Sequence, residues 1–238
     1  MRVGVIMLDT RFPRPPGDIG NPETFAGNAI YEIVPGALVG RVVRAGTPDR
    51  ELIAPFLAAR DRLVRAGVGL VTTSCGFLVR FQAALASGCA VPVVSSGLLA
   101  LPALAQSCAA QGRRAGVITI HAGRLTPDYL VAAGGDAATP VEGTESGHAL
   151  TAKILADATD LDFAAAERDV VEAGERLRAR CPDLGAILLE CTNMPPYRAA
   201  LARRLGLPVH DILTVIAKHA PALALWPGGA RLSGRPAA

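Results

Sequence analysis

Short apolar runs alternate along the chain with longer stretches rich in alanine, leucine and arginine. The short runs are rich in β-branched residues and apolar nearly throughout, which is typical of strands buried on both faces of a parallel sheet. The predicted strands are Val3–Leu8, Leu38–Arg44, Gly69–Thr73, Val91–Ser95, Ala115–Ile120, Ala186–Leu189 and Val209–Ile212. The predicted helices are Asp49–Ala66, Phe77–Ser87, Gly97–Gln111, Phe163–Arg180 and Pro196–Leu205. This alternation predicts an α/β fold.

Two stretches of the chain repeat each other without a gap. "GLVTTSCGFLVRFQAALASGCAVPVV" (69–94) aligns with "GAILLECTNMPPYRAALARRLGLPVH" (185–210) at a constant offset. We therefore predict two pseudo-symmetric halves with Rossmann-like or flavodoxin-like parallel sheets. The first half is predicted to cover 1–105, completed by 209–238, and the second to cover 106–208. The aligned pairs are Gly69 with Gly185, Cys75 with Cys191, Phe81 with Tyr197 and Pro92 with Pro208.

Cys75 and Cys191 each follow a predicted strand and precede a predicted helix. Ligands of open parallel sheets bind beyond the carboxyl ends of the strands, so both thiols are predicted to face one cleft between the halves. A helix N-terminus can lower a thiol pKa and offers backbone N–H groups to a carboxylate. The pair therefore suits proton transfer at carbon, in which one thiolate removes a proton and the other thiol supplies one to the opposite face. The remaining cysteines are predicted to be packing residues: Cys89, Cys108 and Cys181.

Composition narrows the function classes. The chain has 238 residues, half of them hydrophobic, and a net charge of +3 from scattered arginines, which predicts a globular protein without a nucleic-acid partner. Its apolar runs are shorter than the roughly 20 residues of a membrane span, and the first one ends at Asp9, so we expect no membrane association and a cytoplasmic location. Dispersed histidines and the lack of a CxxC pair predict no metal site. No phosphate-binding glycine loop and no lysine in a Schiff-base context is found, which predicts no cofactor.

The motifs "TTSCGF" and "LECTNMP", placed in two similar halves, resemble those of the aspartate/glutamate racemase superfamily over nearly the whole chain. That superfamily contains cofactor-independent amino-acid racemases, hydantoin racemases, maleate isomerases and arylmalonate decarboxylases. The resemblance implies that Cys75 and Cys191 are the two acid/base residues and that the protein forms a homodimer. It also implies that five residues surround the substrate carboxylate: Thr73, Ser74, Gly76, Thr192 and Asn193.

The chain departs from glutamate racemases at several positions. Gly76-Phe77 stands where they carry Asn-Thr, and Asn193 stands where they carry His. Their Asp-Ser pair after the first strand is matched only loosely, by Asp9-Thr10. These differences weaken glutamate as the substrate. The presence of both cysteines argues against a decarboxylase of the arylmalonate type, which resembles a version of this site with one cysteine.

Other residues near the predicted cleft are weaker candidates. The Pro/Gly-rich segment Asp9–Phe25 is predicted to be either a surface connection or a loop over the cleft. In the second case Asp9 and Asn21 are expected to contact an amino group or a ring nitrogen. By the repeat, His121 approaches the cleft from the other half. Glu190 is expected to point away from its neighbours by strand alternation and to have a structural or partner-binding role.

The leading hypothesis is a cofactor-independent racemase or epimerase, an isomerase of amino-acid metabolism. It inverts an α-carbon next to a carboxylate or carbonyl in a small molecule such as aspartate, glutamate or a hydantoin, with Cys75 and Cys191 as the two bases. One alternative is a maleate-isomerase-like cis–trans isomerase with a nucleophilic cysteine. Another is a non-catalytic bilobed binder of small molecules.

Overall fold

Two four-stranded parallel sheets form the centre of the protein in a computed structural model that describes residues 1–226. The first sheet has the order β2-β1-β3-β4, and the second has the order β6-β5-β7-β8. The same strand order in both sheets confirms the prediction of two pseudo-symmetric α/β halves. The strands are β1 (Val3–Met7), β2 (Ala29–Ile33), β3 (Leu70–Thr73), β4 (Val93–Val94), β5 (Arg114–Thr119), β6 (Val141–Gly143), β7 (Leu184–Leu189) and β8 (Val209–His210).

Helices connect the parallel strands, as parallel crossovers require. The α-helices are α1 (Val39–Val42), α2 (Ile53–Arg65), α3 (Gln82–Ala86), α4 (Leu101–Ala109), α5 (Pro127–Ala132), α6 (Leu150–Leu155), α7 (Phe163–Arg180), α8 (Arg198–Leu205) and α9 (Ile212–His219). Short 3-10 helices occupy Pro22–Phe25, Arg50–Leu52, Gly76–Phe81, Gly97–Ala100 and Pro195–Tyr197. No helix within residues 1–226 is long and apolar enough to cross a membrane.

The predicted strand Leu38–Arg44 is wrong, because its centre forms α1. Val39, Val42 and Val43 are buried and follow the i, i+3, i+4 spacing of a helix face. The β-branched composition of this stretch suggested a strand, but the burial period is helical. Strands β2 and β6 were not predicted; both are partly exposed edge strands whose sequences include a glutamate.

The C-terminal segment is divided between the halves. Strand β8 pairs with β7, with Val209 opposite Ile187, so it belongs to the second sheet rather than the first half. Helix α9 instead packs against the first sheet, where Ile212 and Ile216 join a buried cluster with Val3. The predicted return of the chain to the first half therefore applies to the helix and not to the strand. The part of that prediction covering residues 227–238 lies outside the described residues.

Direct hydrogen bonds hold the two halves together around the cleft. The Thr192 hydroxyl of the second half donates to the Ser74 carbonyl of the first at 2.7 Å. The Tyr129 hydroxyl donates to the Arg44 carbonyl, also at 2.7 Å. The first of these bonds joins the two cysteine turns, so the packing of the halves fixes how the thiols are placed relative to each other.

Candidate active site

Both repeated cysteines lie at the carboxyl end of a central strand. Cys75 caps the 3-10 helix Gly76–Phe81 directly after β3, and Cys191 follows β7 by two residues. The two residues are 7% and 8% exposed and line the same cleft. The lining residues are Leu8, Phe12, Arg14, Val39, Val43, Ser74, Cys75, Gly76, Phe77, Ile120, Ile154, Glu190, Cys191, Thr192 and Asn193.

The cleft wall is mainly apolar. Aliphatic side chains come from both halves, and Phe12 and Phe77 add two aromatic rings. Arg14 is the cationic side chain among the residues that line the cleft. A wall of this kind suits a small substrate with one carboxylate and a weakly hydrated remainder, because a second anionic group would find few hydrogen-bond donors there.

The environment of the thiols disfavours their ionised form. Burial raises the pKa of Cys75 and of Cys191, and the nearby Glu190 carboxylate raises the pKa of both thiols further. Hydrogen bonds from the backbone N–H groups of Phe77 and Asn193 act in the opposite direction but are weaker than burial. The sequence-based expectation that helix N-termini lower these pKa values is therefore outweighed, and both thiols carry their protons near neutral pH.

Glu190 enters the cleft, contrary to the expectation that it points away from its neighbours. Strand β7 ends at Leu189, so the alternation of a strand does not extend to the next residue. Glu190 is 1% exposed; its Oε2 accepts a hydrogen bond of 2.7 Å from the Thr119 hydroxyl, and its Oε1 has no hydrogen-bond partner within residues 1–226. Burial raises the pKa of Glu190 to about 7.

Gly76 was the sequence signal for this arrangement. A Cβ atom at position 76 would overlap with Oε1 and with the carbonyl oxygen of Glu190. Any larger residue after Cys75 would therefore displace the carboxyl from the cleft. The glycine noted as a departure from glutamate racemases leaves the space that Glu190 occupies.

The long loop after β1 forms one wall of the cleft. Its backbone is tied to the second half by Asp157, whose Oδ1 accepts from the N–H groups of Arg11 and Phe12 at 2.6 and 3.2 Å. The Arg14 guanidinium lies 4.3 Å from the Phe12 ring centroid. This loop, predicted to lie over the cleft, places an aromatic ring and a cation in the cleft lining.

A buried polar network connects this loop to Cys191. Arg14 Nη1 donates to Asp18 Oδ1 at 2.8 Å, and the other carboxylate oxygen of Asp18 accepts from Asn193 Nδ2 at 2.7 Å. Asn193 Oδ1 in turn accepts a 3.4 Å hydrogen bond from the Cys191 thiol. No sequence pattern singled out Asp18, because its role depends on the fold of the loop.

Four of the predicted substrate-binding residues line the cleft beside the thiols: Ser74, Gly76, Thr192 and Asn193. The Ser74 hydroxyl is already engaged, since it accepts a hydrogen bond of 2.8 Å from the Leu8 N–H. Its main observed contact is thus with β1 and the residue that follows it.

The other four predicted residues are placed outside the cleft lining: Asp9, Asn21, Thr73 and His121. Asp9 accepts from the Gly36 N–H at 3.0 Å, and the Thr73 hydroxyl donates to the Ser95 carbonyl at 2.7 Å. Asn21 caps the 3-10 helix Pro22–Phe25. His121 lies 3.7 Å from a carboxylate oxygen of Glu145, at the surface. Asp9, Asn21 and Thr73 are thus engaged in hydrogen bonds that the sequence pattern did not reveal.

Metal ligands are not gathered at this cleft. Within residues 1–226, no group of three His, Cys, Asp or Glu side chains is placed to hold a metal ion.

Solved structures with a similar fold extend over almost the whole chain. Arylmalonate decarboxylase matches with a TM-score of 0.58 at 17% identity, covering 96% of this chain and 98% of its own. Allantoin racemase from Pseudomonas fluorescens matches with a TM-score of 0.56 at 20% identity, covering 100% of both chains. Glutamate racemase from Campylobacter jejuni subsp. jejuni matches with a TM-score of 0.51 at 17% identity, covering 95% and 88%.

The chain has the aspartate/glutamate racemase fold. This confirms at the level of fold the resemblance seen in the two cysteine motifs. The structural neighbours of this racemase fold include decarboxylases as well as racemases, so the fold does not by itself select one reaction.

The sequence relatives are named as lyases, not as racemases or decarboxylases. The chain is 29% identical over 219 residues to dimethylsulfoniopropionate lyase of Durusdinium sp. clade D, covering 89% of this chain and 71% of the relative. It is 31% identical over 222 residues to dimethylsulfoniopropionate lyase 7 of Emiliania huxleyi (strain CCMP1516), covering 89% and 64%. Another relative, dimethylsulfoniopropionate lyase 5, is covered over 44% of its length. No protein-family profile matches the chain.

Proposed function

We propose that this protein is a lyase that removes the α-proton of a small carboxylate with a cleft thiolate and expels a substituent from the β-carbon. Dimethylsulfoniopropionate is the leading substrate. The observation that carries the proposal is the pair of buried thiols, Cys75 and Cys191, in one mainly apolar cleft that also contains Arg14. The names of the sequence relatives supply the substrate class.

The proposed reaction is a β-elimination. The thiolate sulfur of Cys75 or Cys191 takes the proton from the α-carbon, and the electrons of that C–H bond form the α,β double bond. The bond from the β-carbon to the sulfonium sulfur breaks, and its electrons leave with sulfur as neutral dimethyl sulfide. Propenoate is the second product. Arg14 and the backbone N–H groups of Thr192 and Asn193 hold the substrate carboxylate and the negative charge that develops beside the α-carbon.

The charge of the substrate complements the site. Each thiol has a raised pKa because of burial and of Glu190. A sulfonium cation that enters the cleft favours ionisation of a nearby thiol, since an opposite charge stabilises the thiolate. Because the Arg14 guanidinium already lies over the Phe12 ring, Phe77 is the aromatic residue of the lining that can attract a cation that cannot donate a hydrogen bond.

Racemisation of an α-carbon is the second candidate, and the observation that favours it is that two thiols rather than one line the cleft. The lyase ranks first because relatives with that name share 29–31% identity with this chain over 89% of its length. Allantoin and glutamate racemases share 20% and 17%. The maleate-isomerase-like reaction and the non-catalytic binder stay predictions.

A substrate panel tests the proposal. The purified protein is incubated separately with dimethylsulfoniopropionate, aspartate, glutamate, hydantoins and maleate in D₂O, and products are followed by proton NMR and by gas chromatography of dimethyl sulfide. Release of dimethyl sulfide and propenoate in equal amounts supports the lyase. Deuterium exchange at the α-carbon of an amino acid or hydantoin, without elimination, would replace it with the racemase. Binding of a panel member without any reaction would favour the non-catalytic binder.

A further inference from the structure

Glu190 has the features of a reacting group rather than of a structural one. Its carboxyl is fully enclosed, yet only Oε2 is hydrogen bonded, to Thr119, while Oε1 is left without a partner inside the cleft lining. Leaving a buried polar oxygen unpaired destabilises the fold, and a glutamine or an apolar residue of the same size would avoid a buried ionisable group altogether. Such a group invites a functional explanation.

Its position links the two cysteine turns. Glu190 immediately precedes Cys191 in the chain, and its Oε1 occupies the space beside Gly76, which immediately follows Cys75. The carboxylate acts electrostatically on both thiols. A single carboxyl is thus within electrostatic reach of both groups that handle the substrate proton.

The charged and titratable groups around the cleft are few. The Glu190 carboxylate also acts on the Tyr129 hydroxyl, whose pKa is raised to about 12 mainly by burial. Arg14 lowers the pKa of Cys75, and Asp18 raises the pKa of Cys191. The groups to consider are therefore Cys75, Cys191, Tyr129, Arg14 and Asp18. Glu190 itself has a pKa that burial raises to about 7.

Elimination creates a need that racemisation does not. A racemase returns the abstracted proton to its product, whereas each elimination leaves one proton on the base. Both thiols hold their protons near neutral pH, so the base must lose a proton before every turnover. Transfer from a buried thiol directly to water requires water in the cleft, whereas a neighbouring carboxylate can hold the proton until product leaves and solvent enters.

We infer that Glu190 is a third proton-transfer residue of this cleft, which accepts the proton of the thiol that acts as base and so regenerates the thiolate for each turnover. This inference rests on the proposed function. In the step, the S–H bond of Cys75 or Cys191 breaks with its electrons retained on sulfur, and an O–H bond forms on Oε1 of Glu190. The carboxylic acid then releases the proton to solvent when product leaves.

The pH dependence of turnover tests the inference. In the wild type, kcat for dimethylsulfoniopropionate should rise with pH through about 7, because Glu190 must be ionised to accept a proton. Glu190→Gln should lose this rising limb of the pH profile of kcat. It should also lower kcat at pH 7 by about 100-fold or more, with little change in KM. Thr119→Val removes the hydrogen bond that lowers the pKa of Glu190, so the limb should move to higher pH. Glu172→Gln, an exposed change on α7, is the matched control. A Glu190→Gln enzyme with the wild-type limb and a kcat within threefold would overturn the inference.

A second measurement needs no substrate and stays informative if the protein is not a lyase. The rates at which iodoacetamide alkylates Cys75 and Cys191 are followed against pH by peptide mass spectrometry. Because a thiol and a carboxyl that share one proton titrate together, the wild-type alkylation rate should rise with pH up to about 7, level off while ionised Glu190 disfavours the thiolate, and rise again at higher pH. Glu190→Gln should show a single rise without this plateau. If both proteins give the same single alkaline rise, the inference fails irrespective of the reaction catalysed.

Discussion

The carboxyl of Glu190 fills the space in which any side chain at Gly76 would begin. These residues are 114 positions apart in the chain, and each lies next to one of the two cleft cysteines. Their contact therefore connects the two halves of the protein directly beside the two cleft thiols. It also requires glycine at position 76 for steric reasons alone, because the backbone carbonyl of Glu190 lies in the same space.

Gly76→Ala should destabilise the protein by about 1–3 kcal/mol, because a methyl group is forced against backbone in a packed joint. The free energy of unfolding is measured by urea titration followed by circular dichroism. Gly40→Ala is the control, since Gly40 is exposed in α1 and a Cβ atom there meets nothing within 4 Å. Equal stability of the Gly76→Ala and wild-type proteins would contradict the observed contact.

Asp18→Ala should lower the free energy of unfolding by about 3 kcal/mol or more. The substitution leaves the buried Arg14 guanidinium without its carboxylate and removes the partner of the Asn193 amide. The same urea titration measures this change. The control is Asp183→Ala, which breaks an ion pair with Arg114 in which both side chains are about half exposed, and should cost at most about 1 kcal/mol. Similar losses in the two variants would show that the Asp18 network is not energetically special.

Arg14→Lys should raise KM for dimethylsulfoniopropionate about tenfold while changing kcat little, because lysine keeps the charge but loses the planar fork that binds a carboxylate. Steady-state kinetics separate the two constants. Arg11→Lys, on the same loop but 76% exposed, should leave both unchanged. A fall in kcat at constant KM for Arg14→Lys would contradict a role of Arg14 in substrate binding.

Stability should depend on pH through Glu190. Its pKa is raised from 4.5 to about 7 in the folded protein, so the folded state binds this proton more tightly than the unfolded chain. The contribution is fully present below pH 4.5, is lost as pH rises to about 7, and amounts to at most about 3 kcal/mol. Unfolding of wild type and Glu190→Gln is measured from pH 4 to pH 8. The difference between their free energies should fall over this interval; a constant difference would place the pKa of Glu190 outside it.

The strands that precede the two thiols were predictable, because the local hydrophobic pattern and the internal repeat both indicated strands there. β3 and β7 are nearly continuous apolar runs, and their gapless alignment placed Cys75 and Cys191 at equivalent strand ends. Edge strands were harder, since β2 and β6 are only half buried and lack a continuous apolar run. The segment around α1 was wrongly predicted as a strand, because valine is common in strands while the spacing of these valines is helical.

The cleft wall could not be predicted, because it is built by contacts between distant parts of the chain. Arg14 and Phe12 reach the thiols only because Asp157 of the other half holds the loop backbone. Glu190 appeared structural because the alternation rule was extended one residue past the end of β7. The predicted ligands Asp9 and Asn21 were assigned from their position in the loop, while the structure shows them bonded to local backbone.

Thiol-based removal of the α-proton is tested most directly by the rate of propenoate formation from dimethylsulfoniopropionate. This rate is compared among the wild type, Cys75→Ser, Cys191→Ser and Cys181→Ser, each shown to be folded by circular dichroism. Cys181 follows α7 outside the cleft lining and serves as the control. If a cleft thiolate removes the α-proton, at least one of the two cleft variants should lose about 100-fold or more in rate, and Cys181→Ser should keep the wild-type rate. Full activity in both cleft variants would contradict thiol-based removal of the α-proton.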